Sequence, residues 1–137
     1  MMKLPLHDLT PQYQSIGWEV RTGTDRVCES QIFILGPEVS AFEHEIASFC
    51  GAEHAVGVSS GTDALLVALM AAGVGPGGEV ITSPFTFFAT AGVIARLGAK
   101  PVFVDIETES FNLDPDEIES QVTDRTKAIL PVHLFGR

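Results

Sequence analysis

From residue 54 onwards the chain alternates between short apolar runs and longer segments with helical spacing of apolar residues. A short, bounded apolar run is typical of a buried strand, and apolar residues at three- and four-residue steps are typical of a helix. The pattern predicts strands at 54–58, 79–82, 101–104 and 127–132, and helices at 61–72, 86–97 and 115–122. Strands and helices that take turns along a chain form a parallel or mostly parallel sheet with helices on its faces. The sequence therefore predicts an α/β fold.

The residues before this alternation are predicted to be mainly helical. A helix is expected over 11–30, and a second helix follows Gly36-Pro37, because glycine suits a cap and proline suits the first helical position. Between them, 31–35 is apolar and predicts a short strand or an extended arm. Tyr13 and Trp18 are assigned to the core, since aromatic side chains bury a large apolar surface.

The most informative stretch is the turn at 59–63, which lies between a predicted strand and a predicted helix. The first amide groups of a helix have no intrahelical acceptor, and the positive end of the helix dipole favours an anion there. Gly61 lets an anion approach the backbone closely, and Ser60 and Thr62 add hydroxyl donors. Asp63 is an acidic residue of the first turn. The turn predicts a phosphate site, and a plain N-cap without a ligand is the alternative that stays open.

Aromatic and hydroxyl side chains follow the predicted strand at 79–82, within the segment 82–90. In open α/β sheets, ligands bind at the carboxyl ends of the strands. Consecutive positions cannot all face the same way. We therefore expect at least one ring among Phe85, Phe87 and Phe88 to point into a crevice at this end of the sheet.

Composition and charge narrow the classes of partner. The formal net charge is −10, from 18 acidic and 8 basic residues, which argues against nucleic acid or an anionic membrane surface as a partner. The acidic residues at 105–124 are interpreted as a solvated surface in preference to a metal site. The two cysteines and four histidines lack the spacing of a disulfide framework or a zinc site. With no apolar leader and no apolar run of about 20 residues, we expect a cytoplasmic protein without a metal.

Five short motifs follow one another along the chain. They are Gly36-Pro37, 59–65, 79–82 with 85–87, 101–105 and 129–136. In order and spacing they resemble the N-terminal part of the DegT/DnrJ/EryC1/StrS sugar aminotransferases. The resemblance implies the type I fold of pyridoxal-phosphate enzymes, here as an incomplete large domain with a mostly parallel sheet and helices on both faces. It also implies a homodimer with active sites at the subunit boundary. The implied reaction is amino transfer, usually from glutamate, to a keto sugar carried on a nucleotide.

The same resemblance implies roles for individual residues. Gly61, Thr62 and Asp63 would hold the phosphate of pyridoxal 5'-phosphate, with Ser60 adding its hydroxyl from the turn. Phe87 would stack on the pyridine ring, which suits the flat face of a phenylalanine. These five residues are the predicted cofactor-binding site.

The Schiff-base lysine of the family is expected beyond Arg137, so no catalytic residue is assigned within the 137 residues. The resemblance further implies an N-terminal arm and helix at 1–36, and the N-terminal part of the cofactor-binding large domain at 37–137. The part with the catalytic lysine and the small C-terminal domain are expected to be absent. Two main hypotheses stay open: part of a pyridoxal-phosphate aminotransferase that is inactive alone, or a non-catalytic module for phosphate binding, cofactor binding or assembly. A third hypothesis is a plain Rossmann-like domain that binds another phosphorylated ligand.

Overall fold

A computed structural model gives the structure of residues 6–136. Arg137, named above, lies outside this range. The chain divides into two compact units, of which the first ends at Gly57 and the second begins at Val58. The domain boundary expected at 36/37 concerns the complete protein and stays a prediction.

Two helices make up the first unit. Helix α1 spans Thr10–Ser30, which confirms the predicted helix at 11–30, and α2 spans Pro37–Cys50. Helix α2 has the ends that its sequence favours. A proline occupies its first position, and Gly51 follows its last residue in the left-handed conformation, with φ of 65°.

Two expectations for the first unit are wrong. Residues 31–35 form an irregular connection without strand pairing, and Leu35 leaves the extended region altogether, with φ of 48°. Tyr13 and Trp18 are not core residues, since 47% and 70% of their respective surfaces are exposed. The buried residue of α1 is Gly17. The first unit therefore does not provide a hydrophobic core that buries the aromatic residues of this helix.

The second unit is a small α/β layer structure. In chain order it contains α3 (Gly61–Ala71), β1 (Glu79–Thr82), α4 (Phe88–Arg96), β2 (Lys100–Phe103), α5 (Pro115–Gln121) and β3 (Thr126–Leu130). The three strands are parallel and lie in the order β2-β1-β3. The predicted helices and the last three predicted strands are thus present, with ends that differ from the expected ones by at most two residues. Differences of this size are usual at element boundaries.

The predicted strand at 54–58 is wrong. These residues are irregular and join no strand within residues 6–136. Val56 and Val58 are 78% and 42% exposed, respectively, and the amide of Gly57 donates to Glu43 Oε1 at 2.7 Å instead of joining a ladder. A strand is stabilised by ladder hydrogen bonds from a neighbouring strand. An apolar run alone does not supply that neighbour.

The core of the second unit lies on both faces of β1. Val80 packs in a cluster with Leu69 of α3 and Ile94 of α4. Ile81, the next residue, packs in a second cluster whose partly buried members include Ile118 of α5. Because successive side chains of a strand point to opposite faces, α3 and α4 cover one face and α5 covers the other.

Two features are absent from the described part of the chain. None of its helices combines the length and apolar character needed to cross a bilayer. Its histidine, cysteine, aspartate and glutamate side chains form no group of three or more that could hold a metal ion.

Candidate functional site

The turn before α3 is held by its own side chains. Ser60 is the N-cap residue, and its Oγ accepts a hydrogen bond from the amide of Asp63 at 3.1 Å. The hydroxyls of Ser59 and Ser60 in turn donate to the carboxylate of Asp63. The hydrogen bond from Ser59, then that from Ser60, together with the charge of Arg96, lowers the pKa of Asp63 below its usual value. These contacts fix the turn and keep Asp63 ionised.

The first two amides of α3 are left available by this arrangement. The carbonyl of Ser60 accepts from the amide of Ala64 at 2.9 Å, and the amide of Asp63 is used by the cap. Within residues 6–136 the amides of Gly61 and Thr62 have no hydrogen-bond acceptor. A Cβ atom built on Gly61 would meet no atom within 4 Å. The amino end of α3 therefore offers two donors and the positive end of its dipole to open space.

A cavity of about 390 Å³ lies at this end of α3. It is lined by Gly61, Thr62, Leu65, Thr86, Phe87, Ala89, Thr90, Val132 and Leu134. Three predicted site residues, Gly61, Thr62 and Phe87, thus share one cavity. Ser60 and Asp63 do not line it and instead hold the turn behind it. The cavity volume falls within the range of about 300–1,000 Å³ that is usual for small-molecule sites.

The position of the cavity follows from the topology of the sheet. Phe87 lies in the connection between β1 and α4, in extended conformation just before the helix begins. Val132 and Leu134 follow the end of β3. The carboxyl ends of parallel strands share one edge of the sheet, which is where ligands bind in open α/β folds. Phe87 lines this cavity, and 74% of its surface is exposed. This position agrees with the expectation that at least one phenylalanine ring of the segment points into a crevice.

Six of the nine lining residues were not assigned to the site from the sequence, namely Leu65, Thr86, Ala89, Thr90, Val132 and Leu134. The hydroxyls of Thr86 and Thr90 lie 2.8 Å apart at the amino end of α4, and their four-residue spacing within the helix predicted at 86–97 is a signal that could have paired them. Val132 and Leu134 reach the cavity from beyond β3. Their place depends on strand order, which local sequence does not reveal.

The donors and surfaces around the cavity suit a ligand with an anion and a flat ring. Two free amides at a helix N-terminus and the exposed Thr62 suit a phosphate. The exposed face of Phe87 suits an aromatic ring, and the pair of threonine hydroxyls adds polar groups beside it. The residues present therefore fit pyridoxal 5'-phosphate.

Comparison with known proteins identifies relatives over nearly the whole chain. The profile of the DegT/DnrJ/EryC1/StrS aminotransferase family matches residues 14–137. A pleiotropic regulatory protein of Geobacillus stearothermophilus is 54% identical over 136 residues, which are 99% of this chain and 37% of that protein. A UDP-2-acetamido-2-deoxy-3-oxo-D-glucuronate aminotransferase of Pseudomonas aeruginosa is 49% identical over 130 residues, which are 95% of this chain and 36% of that protein.

The fold is shared with solved structures. The crystal structure of NtdA from Bacillus subtilis, with bound cofactor PMP, matches all of this chain and 32% of its own with a TM-score of 0.90 and 34% sequence identity. This likeness and the parallel sheet confirm the predicted fold class, a partial α/β large domain of pyridoxal-phosphate transferases. The chain spans little more than a third of the length of the curated relatives it matches.

Proposed function

This chain belongs to the DegT/DnrJ/EryC1/StrS aminotransferase family, and on that premise we propose that the complete protein is a pyridoxal-phosphate aminotransferase acting on nucleotide-linked keto sugars. The observation that carries the proposal is the cavity that places the free amides of Gly61 and Thr62 together with the ring of Phe87. The nucleotide-linked keto sugar named for the Pseudomonas aeruginosa relative supports the class of substrate.

In this proposal the cofactor phosphate binds at the amino end of α3. The amides of Gly61 and Thr62 and the hydroxyl of Thr62 donate to its oxygens, and the helix dipole favours its charge. Ser60 and Asp63 act indirectly, because the hydrogen bonds between them hold the turn in the conformation that exposes those amides. All four residues thus contribute to phosphate binding, two by contact and two by fixing the backbone.

Phe87 orients the ring of the cofactor. Its exposed face stacks on the pyridine ring, while the apolar side chains of Leu65 and Leu134 line the same cavity and limit access of water. When bound, pyridoxal phosphate supplies an electron sink for the carbon that loses its proton. The lysine that moves this proton is expected beyond Arg137, outside the residues that form the cavity.

Glutamate as the amino donor, a homodimer with sites at the subunit boundary and a cytoplasmic location complete the proposal. The exposed free thiols of Cys28 and Cys50 suit a reducing compartment.

The reaction is tested with the gene product carrying the family lysine, incubated with ¹⁵N-glutamate and a set of nucleotide-linked keto sugars. Mass spectrometry should detect ¹⁵N in one aminated sugar product and one equivalent of 2-oxoglutarate. The 137-residue chain is the matched control, and we expect it to bind pyridoxal phosphate reversibly without turnover. After borohydride treatment, peptide mapping should show no stoichiometric adduct on Lys100 or Lys127. No ¹⁵N transfer by the complete protein, or turnover by the control, would contradict the proposal.

A further inference from the structure

Three phenylalanine rings form a continuous cluster at the carboxyl edge of the sheet. The ring centroids of Phe85 and Phe111 are 6.0 Å apart, and those of Phe111 and Phe135 are 5.7 Å apart in an edge-to-face arrangement. Such distances are favourable for aromatic pairs. Phe111 is the central member, since it contacts both of the others. We call Phe85, Phe111 and Phe135 the aromatic cluster.

The aromatic cluster joins three connections that follow three different strands. Phe85 precedes Thr86 and Phe87, which line the cavity after β1. Phe135 follows Leu134, which lines the cavity after β3. Phe111 lies in the connection after β2, which contributes no residue to the cavity. Phe111 therefore links the connections after β1 and β3, which form two walls of the cavity, although its own connection does not line the cavity.

The connection that carries Phe111 is locally ordered. Ile106 and Leu113 form an isolated antiparallel bridge, and the amide of Glu107 donates to the carbonyl of Asn112 at 3.0 Å. The amide of Phe111 donates back to the carbonyl of Glu107, also at 3.0 Å. These bonds close a tight loop with Phe111 near its tip. The ring is thus presented by a defined backbone.

Phe111 adopts a backbone conformation that is unfavourable for its type. Its φ of 59° lies in the left-handed region, which a bulky residue with a Cβ atom rarely occupies. Strain of this kind persists where the surrounding structure compensates for it, and it is concentrated near functional sites. Here the compensating contacts are the two ring pairs of the aromatic cluster.

We propose that Phe111 is a positioning residue for the cofactor cavity. By packing between Phe85 and Phe135 it fixes the connection after β1 relative to the connection after β3. This holds the ring of Phe87 at a set distance from Leu134 across the cavity. The inference rests on the proposed function for the identity of the cofactor, whereas the bracing of the two walls rests on the ring contacts alone.

Two variants of Phe111 separate its effect on the cavity walls from its effect on the stability of the fold. Phe111→Leu removes the ring and keeps the unfavourable backbone conformation. Phe111→Asn removes the ring and relieves the strain, because asparagine tolerates the left-handed region. Phe111→Tyr keeps the ring and serves as the rescue. Phe103→Leu is the matched control, because Phe103 on β2 is similarly exposed, at 49% against 42% for Phe111, and lies outside the aromatic cluster.

Each variant of the full chain is measured in three ways. Amide hydrogen exchange by NMR reports on Thr86 and Gly136, whose amides donate to the carbonyls of Pro84 and His133 at 3.1 Å each. Equilibrium dialysis gives the dissociation constant of pyridoxal phosphate. Thermal unfolding gives the Tm. The exchange measurement needs no cofactor and therefore tests the bracing independently of the proposed function.

For Phe111→Leu and Phe111→Asn we expect exchange at Thr86 and Gly136 to become about fivefold faster and cofactor binding about fivefold weaker, the scale of one lost aromatic pair. Phe111→Tyr and Phe103→Leu should leave both quantities unchanged. Phe111→Asn should also keep the parent Tm, because the relief of backbone strain offsets the lost ring contacts, so that faster exchange in this variant is not a result of global destabilisation.

Unchanged exchange at both amides in Phe111→Asn would overturn the proposal. Faster exchange with unchanged cofactor binding would overturn the link from Phe111 to the cavity. A parent chain that binds no pyridoxal phosphate would instead overturn the proposed function and with it the cofactor role of Phe111, and the exchange rates would still decide the bracing.

Discussion

The two ends of strand β1 differ in how their polar groups are used. At the amino end, Glu79 is 3% exposed and every contact it makes is internal: Arg125 donates to Oε1 and Thr123 donates to Oε2, both at 2.7 Å, and Lys100 Nζ lies 3.6 Å from Oε1. At the carboxyl end, the amides of Gly61 and Thr62 have no acceptor among residues 6–136, and the ring of Phe87 is 74% exposed. The polar groups at the amino end are thus paired within the described chain, whereas donors at the carboxyl end remain open.

This difference supports the proposal that the cofactor binds at the carboxyl end of the sheet. A buried carboxylate that accepts hydrogen bonds from an arginine and a threonine is a structural element, because leaving a buried carboxylate unpaired would be costly. Donors at a helix end that remain open to a cavity have the opposite character. The four residues of β1 thus separate an end with paired polar groups from the end at which we propose that the cofactor binds, and the following variants test that separation.

The largest expected effect on stability is at the amino end. Glu79→Ala removes the acceptor through which the start of β1 is joined to Thr123 and Arg125, and the loss of these two hydrogen bonds should lower the Tm by roughly 5–10 °C. Circular dichroism during thermal unfolding measures the change. Glu119→Ala, which removes an exposed carboxylate from α5, should change the Tm by less than about 2 °C. Equal shifts in the two variants would show that burial and pairing of Glu79 do not matter.

A smaller effect is expected from acid. The hydrogen bond from Thr123, then the charges of Arg125 and Lys100, hold the pKa of Glu79 below its usual value of 4.5. A carboxyl with a lower pKa in the folded state stabilises the fold above its unfolded pKa, and this contribution is lost as the pH falls through the folded pKa.

The urea midpoint should therefore drop as the pH is lowered from about 5 to about 3, and drop less in Glu79→Gln. Asp63→Asn removes a carboxyl with a lowered pKa at the other end of the sheet. The pH dependence of its urea midpoint is compared with that of Glu79→Gln. The same pH dependence in the parent chain and in Glu79→Gln would remove Glu79 as its source.

The smallest effect on stability is expected at the carboxyl end. Phe87→Ala should change the Tm by less than about 2 °C, because the ring is 74% exposed. It should nevertheless weaken pyridoxal phosphate binding about fivefold, the scale of one lost stacking contact. Phe88→Ala is the control, because Phe88 is 81% exposed and does not line the cavity. Equal losses of binding in the two variants would show that stacking on Phe87 is not involved.

Local signals in the sequence were sufficient for most of the fold. Strand β1 was predicted with its observed ends, and the proline and glycine at the ends of α2 marked that helix. Asp114 accepts from the amide of Asp116 at 3.0 Å as the N-cap of α5, where the sequence shows Asp-Pro. Each of these signals is complete within a few residues, which is why they could be interpreted without the fold.

The expectations that failed depend on partners elsewhere. The apolar run at 54–58 lacks a neighbouring strand within the described residues, and Trp18 has no interior to enter in its own unit. An apolar pattern indicates that a residue favours burial, and it does not show whether another segment is present to bury it.

The site was predictable in part for the same reason. The turn of Ser60, Gly61, Thr62 and Asp63 is local, and its capping bonds follow from residue type and spacing. The meeting of this turn with Leu134 is not local, because it requires β3 to lie beside β1. Family resemblance proposed Phe87 for the ring, and residue spacing alone would not have selected it from its neighbours Phe85 and Phe88.

The central position of β1 also sets an order of assembly. Thr82 pairs with Phe103 on one side and Leu130 on the other, and Leu130 lies 48 residues along the chain. Shorter loops close at lower entropic cost and more rapidly, so we expect β1 and β2 with α4 to pair before β3 docks. During synthesis, one edge of β1 stays unpaired until β3 leaves the ribosome, which is the interval of greatest aggregation risk. Since Val132 and Leu134 follow β3 and line the cavity, we expect this wall of the cavity to form only after β3 has paired with β1.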